Sequence, residues 1–217
     1  DARLMKCVLQ NDCSTVTADI CGTQITYKVG IPGRHWVQNS LAILAAANTV
    51  GVDLDRASLA LNHIRPGPGR GEQTSVVTLN GTFDLIDESY NANPASMCAA
   101  LKTLNLTTIL REGRRIAVLG DMLELGSDSE KLHKDLATLL EVKNLDLVFT
   151  VGNFSKSLHD SLPIHLRGGH SENSDKAASL LVKTVQPGDV VLIKGSNAIG
   201  MSKIKKALLD LSERGAA

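Results

Sequence analysis

Short runs in which every second residue is apolar open the chain. Ile25, Tyr27 and Val29 alternate with polar neighbours, and with the runs 4–10 and 15–20 they predict three short strands. Asn11-Asp12 and Cys21-Gly22 mark the turns between them. After Ile31-Pro32-Gly33 the spacing changes: Val37, Leu41, Leu44 and Ala45 fall on one helical face, predicting a helix over 35–50 that stops at Gly51. Asp53 is then placed to cap a second helix whose apolar face is Leu54, Ala57, Leu61 and Ile64.

The segment Arg65-Pro66-Gly67-Pro68-Gly69-Arg70-Gly71 breaks both periods. Proline and glycine at this density fit neither a helix nor a central strand, so a hinge is expected here, with domains 1–66 and 67–217. Beyond it, strands and helices alternate. A hairpin (75–79 and 83–86, turning at Asn80-Gly81) leads to a helix from Pro94 with Met97, Ala100, Leu101 and Leu104 inward. Then come a strand at 116–119, a helix with Leu132, Leu136 and Leu139, a strand at 145–151, a short helix at 155–160 and a short strand near Ile164. A helix with Ala177, Leu180, Leu181 and Val185, a strand at 190–193 and a helix with Met201, Ile204, Leu208 and Leu211 finish the chain. Continuous apolar strands between amphipathic helices predict an α/β domain: a Rossmann-like, doubly wound, mainly parallel sheet covered on both faces.

Composition narrows the partners. The 23 basic and 23 acidic residues cancel, and aromatics make up 3% of 217 residues, so no nucleic-acid footprint is expected. No apolar run approaches the roughly 20 residues a membrane helix needs, so no membrane insertion is expected. Cys7, Cys13, Cys21 and Cys98 lack metal or disulfide spacing, which fits reduced thiols in a cytoplasmic protein. His63, His159, His165 and His170 have no ligand spacing either, so no metal site is expected.

The candidate chemistry lies at strand ends. Asp87-Glu88-Ser89-Tyr90-Asn91-Ala92-Asn93-Pro94 crowds carboxylates and amides where an apolar strand gives way to a helix, a place where α/β proteins hold charged ligands. Three further strands end in glycine and a polar residue, at Gly120-Asp121, Gly152-Asn153 and Gly195-Ser196. Parallel strands would bring these turns to one edge with 87–94. Asn93 fits a helix cap as well as a ligand amide, and Tyr90 and Asn91 fit packing or turn roles as well as substrate contact. Lys194 fits either a solvated lysine or a carboxylate or phosphate ligand. His133, in a helix entered by Ser127-x-x-Glu130, is expected on the surface. No G-x-x-x-x-G-K-[ST] phosphate loop occurs in the sequence.

Five of these motifs, in order, resemble the Mur ligases. They are Gly33-Arg34-His35-Trp36-Val37-Gln38-Asn39, Pro68-Gly69-Arg70, the run from Asp87 through Met97, Gly120-Asp121-Met122-Leu123-Glu124-Leu125-Gly126 with His133, and Lys194-Gly195-Ser196. The resemblance is to the tail of the family's central ATPase domain followed by its C-terminal domain. It implies an enzyme that uses ATP and magnesium to activate the terminal carboxylate of UDP-N-acetylmuramoyl-tripeptide as an acyl phosphate, which the amine of D-alanyl-D-alanine then attacks.

By the family pattern Asn39 would lie near the adenine and Arg70 would reach the phosphates across a domain interface. Asp87 or Glu88 would bind the ribose; Glu88 aligns better. Tyr90, Asn91, Asn93, Asp121, Lys194 and Ser196 would serve the acceptor substrate. Closure would be needed for Arg70 and Glu88 to meet one nucleotide. Trp36 stands where the family often has Asn, which puts one adenine contact in question. Because the sequence begins in strand-like material without the phosphate loop, the chain is expected to start inside a domain, to hold no cofactor tightly and to be inactive alone; a monomer is expected. The alternative is a stand-alone nucleotide-binding Rossmann-like module without ligase activity.

Overall fold

The computed structural model describes residues 1–10, 13–65, 67–109, 112–141 and 144–213. The turn expected at Asn11-Asp12 and the hinge residue Pro66 lie outside the described residues. The chain divides into two compact units, Asp1–Pro66 and Gly67–Ala217.

In the first unit, β1 (Ala2–Leu9), β2 (Ser14–Ile20) and β3 (Thr23–Val29) form an antiparallel sheet in chain order. Val16, Ala18 and Ile20 of β2 lie on one buried face, with Tyr27 and Val29 beside them. Helices α1 (Arg34–Thr49) and α2 (Leu54–Leu61) cover that face through Val37, Leu44 and Leu61. The Tyr27 and Ser40 hydroxyls meet at 2.8 Å, tying β3 to α1 and giving the buried phenol a partner. Asp53 caps α2, its Oδ1 accepting from the Arg56 N–H at 2.9 Å.

The second unit is a six-stranded sheet in the order β4-β5-β9-β6-β7-β8. Its strands are β4 (Glu72–Thr78), β5 (Gly81–Glu88), β6 (Arg115–Gly120), β7 (Leu147–Val151), β8 (Arg167–Ser171) and β9 (Val190–Lys194). Only β4 runs antiparallel to its neighbour; β5, β9, β6, β7 and β8 are mutually parallel. Helices α3 (Pro94–Leu106), α4 (Ser129–Glu141) and α5 (Ser155–Ser161) pack on one face against Ile86, Ala117, Leu119, Val148 and Leu192. Helices α6 (Ser174–Thr184) and α7 (Met201–Glu213) cover the other, against Leu85, Ile116, Val118, Val191 and Ile193. The residue-by-residue alternation of these two sets is the period-two signature of a strand buried on both sides.

Strand β9 enters last and lies between β5 and β6. The helix after β9 lies on the opposite face from the helices after its two neighbours, so both flanks of β9 are topological switch points, where α/β sheets open a crevice at the carboxyl edge.

Two expectations need correction. The strand expected near Ile164 is a 3-10 turn, Ile164–Leu166, and β8 follows it in Arg167-Gly168-Gly169-His170-Ser171. That run carries no apolar period because Gly168 and Gly169 leave room for the Phe149 ring; a Cβ on Gly168 would come within 2.6 Å of Phe149 Cε2. The hairpin is also longer than its apolar core suggested, so Glu72 pairs with Asp87 across β4 and β5.

Candidate functional site

The carboxyl edge of the parallel strands gathers the loops after β5, β9, β6 and β7. At the β5 corner two adjacent acids point to opposite faces of the sheet. Asp87, 2% exposed, faces α7: its Oδ2 accepts from the Gly69 N–H at 3.1 Å and lies 2.8 Å from Lys205 Nζ, while Oδ1 accepts from the Ser89 N–H at 3.0 Å. Lys205 also donates to Glu72 Oε2 at 2.6 Å. Burial pulls the Lys205 ammonium down, but its bonds to Asp87 and Glu72 outweigh that and leave its pKa above the ordinary value. The cluster fixes the chain as it leaves the proline-glycine segment. Gly69, at φ 72, donates to Asp87 and accepts from the Tyr90 N–H at 3.0 Å, and any Cβ there would strike the Tyr90 backbone.

Glu88 faces α3 and is in a different state. Its Oε2 lies 3.8 Å from Lys194 Nζ, an ion-pair neighbour beyond hydrogen-bond range, and its side chain is 24% exposed. Burial raises its pKa, the Lys194 charge opposes that rise and the Asp87 charge adds to it. Lys194 ends β9 in register with Glu88 and is 1% exposed; Nζ donates to the Asn91 carbonyl at 2.9 Å. Burial lowers its pKa, with Glu88 acting against the shift. Lys194 is therefore not a solvated lysine: it holds the Tyr90-Asn91 turn from beneath.

Arg70 lies in the same unit as Glu88, its guanidinium 4.0 Å above the Tyr90 ring. The hairpin register explains this, since pairing Glu72 with Asp87 brings residues 69–71 beside 88–90. The expectation that Arg70 and Glu88 stand on opposite sides of a closing gap is corrected: a Cβ on Gly71, next to Arg70, would lie 3.2 Å from Glu88 Oε1 without any domain movement. Asn93 caps α3, its Oδ1 accepting from the Ser96 N–H at 2.8 Å while Ser96 Oγ accepts from the Asn93 N–H at 3.0 Å. Asn91 is exposed, and its Oδ1 accepts from the Ala92 N–H at 2.8 Å. Asn39 is exposed on α1, in the other unit.

At the β6 corner the polar groups are joined mainly through backbone hydrogen bonds, with His133 Nε2 4.0 Å from Asp121 Oδ1. Asp121, 3% exposed, accepts from the Ser155 N–H at 2.7 Å and the Phe154 N–H at 3.2 Å, holding the start of α5. Its backbone carbonyl accepts from the Ser196 N–H at 3.0 Å, joining the β9 loop to the β6 loop. Ser196 Oγ in turn accepts from the Leu123 N–H at 3.0 Å. His133, expected on the surface, is 1% exposed. Its Nε2 accepts from the Met122 N–H at 2.8 Å, and its Nδ1 donates to the Ser129 carbonyl at 2.6 Å. These partners fix the Nδ1–H tautomer and make His133 a brace for the loop.

Sequence reasoning missed Lys205, Glu72 and the brace formed by His133. A signal existed for two of them. Counting outward from the Asn80-Gly81 turn puts Glu72 opposite Asp87, and Lys205 follows Met201 by one helical turn, on the margin of the buried stripe.

The fold and this edge define a doubly wound α/β domain with charged side chains at the carboxyl end of its switch strand and that strand's neighbour. The family model described as the Mur ligase, glutamate ligase domain matches residues 69–197, more than half of the chain, and the chain belongs to the Mur ligase family. It is 33% identical over 182 residues to the UDP-N-acetylmuramoyl-tripeptide--D-alanyl-D-alanine ligase of Escherichia coli (strain K12), covering 82% of this chain and 38% of that protein. The ligase of the same name from Bacillus subtilis (strain 168) is 29% identical over 195 residues, covering 88% of this chain and 41% of the relative. A crystal structure of MurF from Acinetobacter baumannii superposes with a TM-score of 0.81 at 26% identity, covering 97% of this chain and 45% of that one. The chain thus spans about two fifths of the length of the curated relatives it matches.

Proposed function

We propose that this chain is the C-terminal portion of a cytoplasmic, ATP-dependent ligase that joins D-alanyl-D-alanine to UDP-N-acetylmuramoyl-tripeptide in peptidoglycan precursor synthesis. Residues 1–66 belong to the end of the ATP-binding domain and residues 67–217 form the domain that receives the amine component. The observation that carries the reading is the family match over 69–197, a span that contains the loops after β5, β6 and β7 and the Lys194-Gly195-Ser196 run.

ATP supplies the phosphoryl group that activates the tripeptide carboxylate. The chain's own residues fit contact with a nucleotide at two points. Glu88, partly exposed and with no ion-pair neighbour among the described residues nearer than the Lys194 Nζ at 3.8 Å, suits ribose hydroxyls better than Asp87, whose oxygens already have three partners. Arg70, exposed and stacked on Tyr90, suits phosphate. Asn39 serves the adenine. The Tyr90-Asn91 turn, held by Lys194 and followed by the Asn93 cap, together with the loops braced by Asp121 and Ser196, forms the floor on which the dipeptide is oriented. The complete ligase uses magnesium with ATP; among the described residues no group of His, Cys, Asp and Glu is arranged to hold a metal ion.

The test uses the complete ligase that contains this segment. ADP and phosphate should accumulate only when UDP-tripeptide and D-alanyl-D-alanine are both present. Turnover that continues unchanged without the dipeptide would rule the reading out.

A further inference from the structure

Two described residues other than glycine have φ in the left-handed region, Cys21 at 51° and Glu124 at 63°. Cys21 has a local reason: it precedes Gly22, at φ 88, in the two-residue turn between β2 and β3, where hairpin twist calls for positive φ. Glu124 sits in no hairpin. It lies in the loop between β6 and α4, a position that glycine or asparagine would occupy at lower cost.

The surroundings impose the conformation. Three successive N–H groups before Glu124 are held from three different elements: Asp121 donates to the Val151 carbonyl at 3.0 Å, Met122 to His133 Nε2 at 2.8 Å and Leu123 to Ser196 Oγ at 3.0 Å. The Met122 side chain is fully buried in the core. What this framework presents is an exposed carboxylate that forms no hydrogen bond or ion pair with the described residues. A backbone outlier that is over-determined by its neighbours, and that carries an exposed carboxylate with no protein partner among the described residues at the carboxyl edge of the sheet, points to a function for that charge.

The chemistry it would recognise follows from where it stands. Strand β6 flanks β9 on the side opposite β5, and Leu119 of β6 is in register with Lys194. Glu124 follows the end of β6 by four residues, in the loop that leaves the second flank of the switch strand, whereas Glu88 ends β5 on the first flank. On the reading of 67–217 as the amine-receiving domain, on which this rests, the incoming dipeptide brings one cation, its terminal ammonium. We propose that Glu124 is the specificity-determining residue for that ammonium, a fixed carboxylate that pairs with the amine as the acceptor binds.

Three variants of the complete ligase test this. Glu124→Gln should raise the KM for D-alanyl-D-alanine at least about tenfold, the scale of one lost charge-assisted hydrogen bond, while the KM values for ATP and UDP-tripeptide stay within about twofold. Glu124→Asp, which keeps the charge, should fall between wild type and Gln. Glu124→Gly should show the same KM rise as Gln, yet increase the Tm of the 217-residue chain by about 2–4 °C by relieving the left-handed strain. An unchanged dipeptide KM in Glu124→Gln, or a parallel rise for all three substrates, overturns the proposal. Wild-type enzyme that fails to use the dipeptide at all would instead overturn the ligase reading itself.

Discussion

The β5 corner and the β6 corner of the same sheet edge solve one problem in two ways. Each must hold a loop still at the end of a buried strand. The β5 corner uses charge: Asp87, Lys205 and Glu72 on one face and Glu88 with Lys194 on the other. The β6 corner uses Asp121 as a cap, a histidine whose Nε2 accepts from a backbone N–H, and a serine hydroxyl. The difference teaches which polar residues at a strand end are available to a ligand. Many are committed to the backbone of the next loop, whereas among the described residues Glu88 and Arg70 at one corner and Glu124 at the other carry charges with no hydrogen bond to the protein.

The comparison breaks most readily at Asp87. Replacing it with alanine removes acceptors from the Gly69 and Ser89 N–H groups and leaves Lys205 with Glu72 alone, so the unfolding free energy should fall by about 3 kcal/mol. Urea unfolding of the chain measures it. A loss below about 1 kcal/mol would mean that the ionic clamp does not hold this corner.

Asp121→Ala tests the β6 corner and should cost less, about 2 kcal/mol, because the helix start it caps can recover part of its hydrogen bonding from water. The same urea experiment applies, and the ranking is the point. A larger loss at Asp121 than at Asp87 would reverse the assignment of the stronger brace.

Much of this was legible in the sequence, for identifiable reasons. Every long helix was visible because its buried residues recur at helical spacing, as Met201, Ile204 and Leu208 do in α7. Strand β8 was not, because its glycines pack by being small and leave no apolar period. At the site, Glu88 and Lys194 could be singled out as chemistry at strand ends, but their burial could not: Lys194 is 1% exposed because β9 inserts between two neighbours, which is a fact of topology. Asp87 and Glu88 looked equivalent as neighbours in a list. They differ because strand geometry sends adjacent side chains to opposite faces, one toward Lys205 and the other toward Lys194.

That last distinction yields the smallest expected effect. Glu88 has its pKa raised, first by burial and then by the Asp87 charge, with Lys194 opposing. A folded state that binds the Glu88 proton more tightly than the unfolded chain gains stability that is complete below the ordinary value of 4.5 and is lost as pH rises through the raised value. Glu88→Gln cannot titrate. The difference in unfolding free energy between wild type and variant should therefore shift in favour of the variant between pH 4.5 and pH 7, by about 1 kcal/mol or less once solvent screening of a partly exposed group is allowed for. Denaturant unfolding at a series of pH values reads the shift directly. Asp87, tied to Lys205 and two backbone N–H groups, is the contrast: its removal should appear as a stability loss, whereas removal of Glu88 should appear in this pH profile and in nucleotide affinity. A wild-type-to-variant difference that stays flat with pH would show that Glu88 is as fully compensated as its neighbour, and the distinction between the two acids would fall.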